Sequence, residues 1–269
     1  MRLIDQGSGT PVVLVPGIQG RWEWMRPAVD ALAKRCRVIT FSLADEPTCG
    51  GRFDEATGFW CYVEQIVEAM DAVGLEQATI CGVSYGGLIA AAFAARHPDR
   101  VSALALVSAI PPSWTPDPRV RELIRSPRLM TPLFCIGSVR IVPEIVAARG
   151  GWIAGLLFSA RHGIRTLTNI FSPTLMARRV RLVENLALEP DIRRIERPTL
   201  IVTGEAGMDR VVPVQMTHEY LQLVPQATSA TIPRTGHLGL VTRPELFADL
   251  VSSFATRVEA DSAPKRRVV

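Results

Sequence analysis

The sequence predicts an α/β fold: a mostly parallel sheet of about seven strands, helices on both faces, and an inserted helical cap. Three observations carry this. Short β-rich runs alternate with longer helical patterns along the chain, and such alternation places helices between parallel strands. Several runs, "PVVLV", "VSALALV" and "PTLIVT", are continuously apolar, as strands covered on both faces must be. Residues 112–195 break the rhythm with helical patterns and no convincing strand, which reads as a lid or cap.

Taken in order, strands are expected near residues 2–5, 11–15, 36–41, 78–83, 101–107, 198–203 and 227–232. Helices are expected near 24–34, 55–73, 85–96, 213–223 and 243–257, with Pro213 and Pro244 suited to first-turn positions. The chain then divides into a core (1–111 and 196–257), a cap (112–195) and a polar, then basic tail (258–269) expected to be flexible. The cap opens on Pro111, Pro112, Pro116 and Pro118. With 269 residues, 48% of them apolar, the chain has material for one large domain with a sizeable core.

Charge excludes less than it suggests. The net charge is +4, and residues 112–195 hold 13 arginines and no lysine against six acidic side chains. Yet the whole chain has only two lysines, Lys34 and Lys265, so arginine is its general cation. No nucleic-acid motif or aromatic–basic interleaving accompanies the charge, and no nucleic-acid partner is expected. Five cysteines, Cys36, Cys49, Cys61, Cys81 and Cys135, form no C-x-x-C and read as free thiols. With four scattered histidines, no metal site is expected. No apolar run reaches about 18 residues, and the start, "MRLIDQGSG", has no apolar signal region. A cytoplasmic protein without a membrane span is expected.

The chemistry lies in three motifs. In "ATICGVSYGGLIAAAF", Gly82-Val83-Ser84-Tyr85-Gly86 matches G-x-S-x-G at the junction of an expected strand and helix. A serine at such a turn is held up to substrate by neighbours that let the two backbones approach. The N–H of Tyr85, at a helix N-terminus, is then aimed at a developing oxyanion. In "VVLVPGIQG" a strand ends at Pro16-Gly17, and the loop offers the N–H of Ile18 as a second donor. In "TGEAGMDRVVP" and "IPRTGHLGL", Asp209 and His237 each follow a strand. A serine nucleophile needs a base oriented by a buried carboxylate, and strand C-terminal ends are where open α/β sheets bind ligands.

With these motifs in the order Ser84, Asp209, His237, nearly all of residues 2–257 resembles the α/β-hydrolase fold family. The resemblance implies Ser84 as nucleophile, Asp209 as acid, His237 as base, and the N–H groups of Ile18 and Tyr85 as oxyanion hole. A serine in this place argues against the haloalkane dehalogenases and epoxide hydrolases, which use aspartate. There are departures. Pro16-Gly17 replaces the usual His-Gly, the Gly-Gly-Gly loop of some lipases is absent, and "ADEPTCGGRF" replaces the usual G-x-G-x-S segment. Asp209 lies five residues after Gly204, which leaves Glu205 as a rival. The short N-terminus implies that the family's first edge strand is missing.

The expected activity is cofactor-independent hydrolysis of small to medium carboxylic esters through an acyl-enzyme. The family also admits C–C bond hydrolysis of diketone-type acids, haloperoxidase-like perhydrolase activity, and triad-bearing small-molecule receptors. Trp22, Trp24 and His162 are the candidate substrate contacts. The apolar cap segments "LMTPLFCIG", "GGWIAGLLF" and "LTNIF" predict an apolar pocket suited to uncharged esters. An inward-facing cap arginine would instead predict anionic substrates.

Overall fold

The structure is a computed structural model and describes residues 1–129, 138–159, 172–184 and 186–262. Seven strands form one sheet: β1 (Leu3–Gln6), β2 (Pro11–Val15), β3 (Arg37–Phe41), β4 (Ala78–Val83), β5 (Val101–Val107), β6 (Thr199–Thr203) and β7 (Thr228–Thr231). They lie in the order β1-β3-β2-β4-β5-β6-β7. Every pairing is parallel except the edge pair β1–β3.

The continuous apolar runs have the predicted cause. In β2, Val13 and Val15 enter one core while Val12 and Leu14 enter the other, because successive side chains of a strand point to opposite faces. The first core lies under α2 (Trp60–Ala72) and α3 (Tyr85–Arg96), with Tyr62, Ile66 and Phe93 buried against Ile39, Ile80 and Leu104. The second lies under α1 (Arg26–Leu32) and the C-terminal helix, where Val29, Phe247 and Val251 meet Val38, Ala103 and Val202.

Element boundaries depart from expectation where side chains compete with the helix. Before α1, Trp22–Met25 form a 3-10 turn. The helix expected from residue 55 begins at Trp60, since Asp54 accepts from the Ala56 N–H and the Thr57 hydroxyl and so favours a turn over a helix. The segment 213–223 is two single turns, Val214–Thr217 and Tyr220–Leu223. The tail expected to start at 258 is a correction of the opposite kind. The last helix runs from Pro244 to Ser262. It continues because Val258 is still buried in the second core and the next residue, Glu259, accepts from the Thr10 hydroxyl.

Between β5 and β6 the chain forms α4 (Pro118–Arg125), α5 (Val142–Arg149), a helical stretch over residues 152–159, and α6 (Pro173–Val183). Among the described residues of 112–195 there is no strand. α4 and α6 share a start signal: Asp117 and Ser172 accept from the N–H groups of Val120 and Leu175, and a proline follows each cap. The C-terminal helix from Pro244 to Ser262 is α7. Among the described residues, no helix is long and apolar enough to cross a membrane.

Candidate active site

β4, central in the sheet, ends at Val83, and Ser84 turns the chain into α3 with φ 54° and ψ −118°. A positive φ costs a non-glycine residue roughly 1–3 kcal/mol, and such strain clusters at functional sites. The neighbours make the turn possible. A Cβ on Gly82 would lie 2.3 Å from the Gly86 carbonyl oxygen, and one on Gly86 would lie 2.4 Å from that of Pro16. Ser84 is 8% exposed, and its N–H and C=O are both tied to β5 and its following loop, at Val107 and Ile110.

β6 and β7 bring up the other two candidates. Asp209 is 6% exposed. Its Oδ1 accepts from the N–H groups of Val211 (3.0 Å) and Val212 (2.8 Å), and its Oδ2 lies 3.1 Å from His237 Nδ1. Burial opposes ionisation of this carboxyl. The contact with His237 and the two N–H bonds outweigh it and hold the group below its ordinary range. The acid and histidine loops touch at backbone level: a Cβ on Gly236 would lie 2.4 Å from the Met208 carbonyl oxygen. The rival Glu205 is turned elsewhere, its Oε1 accepting from the Arg234 N–H at 2.8 Å. With Nδ1 on Asp209, His237 has Nε2 left to face a nucleophile. Among the described residues no hydrogen bond joins Ser84 Oγ to His237; in sites without substrate such bonds are often long.

Ser84, Tyr85 and Ile18 line a cavity of about 230 Å³. The sheet domain adds Ile110, Val211 and Val212. The 112–195 insert closes it with Trp114 ahead of α4, with Leu123 and Ile124 of α4 and with Met176, Ala177 and Val180 of α6. Among the described residues no charged side chain lines it. Trp22 and Trp24 do not line it either, contrary to expectation: they sit in the 3-10 turn, where Trp22 packs against the second core. The cavity tryptophan is Trp114. It sits in the proline-rich entry to the insert, a place that sequence reasoning gave only a structural part. His162 lies outside the described residues.

Three of the insert's described arginines are occupied elsewhere. Arg178 pairs with Glu55, Arg193 with Glu189, and Arg179 with Asp45 and Glu46. Sequence reasoning also missed Glu144 on α5. It is 3% exposed, and its Oε1 accepts from the Leu238 N–H, next to His237, at 2.5 Å. Burial pushes this carboxyl up to about 7, against the pull of the Gly236 and Leu238 N–H groups and of His237. Among the described residues no group of His, Cys, Asp and Glu is placed to hold a metal ion. A strained serine, an Asp–His pair and an apolar chamber together suit acyl transfer.

Comparison with known proteins agrees with the fold. The model of the alpha/beta hydrolase family matches residues 12–250. A 2-hydroxymuconate semialdehyde hydrolase of Pseudomonas putida is 27% identical, over 96% of this chain and 91% of the relative. Among solved structures, an esterase from Exiguobacterium antarcticum has a TM-score of 0.75 at 20% identity, covering 94% of both chains. A bromoperoxidase from Bacillus anthracis has a TM-score of 0.73 at 20% identity, again over 94% of both.

Proposed function

This chain belongs to the alpha/beta hydrolase family, and on that premise we propose that it is a cofactor-independent serine hydrolase of small to medium uncharged carboxylic esters. The residues 112–195 serve as the cap over its site. The observation that carries the reading is Ser84 at a strained strand–helix turn, opening into an apolar cavity. Ser84 Oγ attacks the ester carbonyl carbon while His237 Nε2 takes its proton. Asp209 holds the imidazole with N–H at Nδ1 and balances the imidazolium. The carbonyl oxygen, now an oxyanion, accepts from the N–H groups of Ile18 and Tyr85. Collapse of the intermediate breaks the ester C–O bond, and His237 returns its proton to the departing alcohol. Water, deprotonated by His237, then attacks the acyl-enzyme and releases the acid.

The choice of uncharged esters rests on the lining. Among the described residues the lining offers no cation, so an anionic substrate would bury its charge there without a partner from them, which is costly. A second reading is favoured by the relative named for 2-hydroxymuconate semialdehyde, whose name denotes a carboxylate. Under it the same Ser84 would cleave a C–C bond in a carboxylate-bearing diketone-type acid. A chromogenic ester panel of varied acyl length, run on wild type and Ser84→Ala, tests the first reading. Saturable hydrolysis of short to medium esters, lost in the variant, is expected. Binding without turnover would point to a receptor, and cleavage confined to diketone-type acids to the second reading.

A further inference from the structure

Arg179 has no part in the steps above, yet it heads the large side chains that are fully buried among the described residues. It stands on α6, in the insert, and its bonds all reach the sheet domain. Nη2 donates to Asp45 Oδ1 and Glu46 Oε1, each at 2.6 Å, and Nε donates to Asp45 Oδ1 at 3.2 Å. Nη1 donates to the carbonyl oxygen of Ile18 at 2.7 Å. The acidic pair lies in the segment "ADEPTCGGRF", where this chain departs from the sequence usual in its family.

Three buried charges make a poor stabilising device, since their desolvation offsets much of their attraction. They make a good geometric one. A guanidinium is a rigid planar fork, and with one edge held by two carboxylates its remaining donor points in a set direction. Here that donor meets Ile18, whose N–H is the second oxyanion donor in the mechanism above. The loop is pressed flat on the fork. Gly20 has φ +76°, and a Cβ there would lie 2.3 Å from Nη1. From the other side, the Gly20 carbonyl accepts from the Leu43 N–H at 2.7 Å, just before the acidic pair.

We propose that Arg179 is a positioning residue for the oxyanion hole: clamped by Asp45 and Glu46, it fixes the Ile18 loop, so that seating of α6 sets the direction of the Ile18 N–H. The insert therefore does more than close the cavity. It completes the catalytic backbone. The inference rests on Ile18 being an oxyanion donor in the hydrolase reading.

The test compares wild type, Arg179→Lys and Gly20→Ala by two readouts. Gly20→Ala keeps every charge and displaces the fork from the opposite side, so it serves where Arg179→Lys does not fold. The first readout is kcat and KM on a neutral ester, with kcat counted per active site titrated by a fluorophosphonate. A misdirected donor should lower kcat by roughly 10–100-fold, somewhat less than outright loss of a donor, with KM changed by less than about threefold. The second is amide exchange of the 17–20 backbone, expected to quicken at least about tenfold while β4 and β5 are unchanged. Unchanged kcat per titrated site together with unchanged loop exchange would overturn the proposal. So would a uniform rise in exchange across the sheet, which would mark Arg179 as a general stabiliser. If wild type hydrolyses no ester, it is the reading of the function that fails, and the loop exchange still decides the clamp.

Discussion

Replacing Asp209 by Asn isolates the imidazole tautomer. Asp209 Oδ1 is held by the Val211 and Val212 N–H groups at 3.0 and 2.8 Å, so the side chain cannot turn without leaving two donors unpaired. An asparagine must therefore place its carbonyl oxygen at Oδ1 and its NH₂ where Oδ2 now lies, 3.1 Å from His237 Nδ1. Two donors would then face each other. The imidazole relieves this by moving its proton to Nε2, the atom that accepts the Ser84 proton in the proposed mechanism. The expected loss is about 10³–10⁴ in kcat, or roughly 4–5.5 kcal/mol of barrier, with KM little changed. Steady-state kinetics on a neutral ester reads it directly. Glu205→Gln is the control: among the described residues its carboxylate bonds the Arg234 N–H alone, and the change should cost less than about tenfold. The reverse ranking would refute the reasoning and transfer the orienting role to Glu205.

Three further outcomes follow from the site. Glu144 is raised from 4.5 to about 7 by burial, so the stability it lends is full below its unfolded value and is lost as pH rises through about 7, roughly 3 kcal/mol in all. Glu144→Gln should match wild type in Tm near pH 5 and exceed it near pH 8; parallel Tm–pH curves would contradict this. For the cavity, kcat/KM should favour neutral esters over matched carboxylate-bearing ones and rise by up to about 0.8 kcal/mol per added methylene until about 230 Å³ is filled. A tenfold preference for the anionic series, weakened by salt, would favour the C–C reading instead. Gly86→Ala should cost about 1–3 kcal/mol by chemical denaturation, since its Cβ would lie 2.4 Å from the Pro16 carbonyl oxygen; no change in midpoint would count against the tight turn.

Much of the fold is legible in local patterns, because both-face burial leaves continuous apolar runs. The bounds of β2, β4, α3 and β5 follow directly from them. Legibility fades where single side chains decide, as at Asp54 ahead of α2 or Val258 in α7. Positions of the three candidate residues are readable because each follows a strand, and strand ends converge in a parallel sheet. Cavity walls are not readable, since they depend on how the insert docks: Trp114 lines the chamber and Trp22 packs into the core. The Arg179 cluster joins residues more than 130 positions apart. It did leave a trace. Met176, Arg179, Val180 and Val183 follow the i, i+3, i+4, i+7 spacing of a buried helix face and are all buried. A charge on such a face calls for a partner, and the acidic pair stood in plain view at Asp45-Glu46.

The central claim is that Ser84 is the nucleophile of an ester hydrolase, and Ser84→Ala on a short neutral ester tests it most directly. The substitution removes only Oγ and keeps a Cβ at the strained turn, so the fold should be retained. The account predicts a fall in kcat of at least about 10³, with the residue due to binding and the oxyanion donors, and loss of fluorophosphonate labelling at position 84. Activity within tenfold of wild type, or labelling at a different serine, would contradict it.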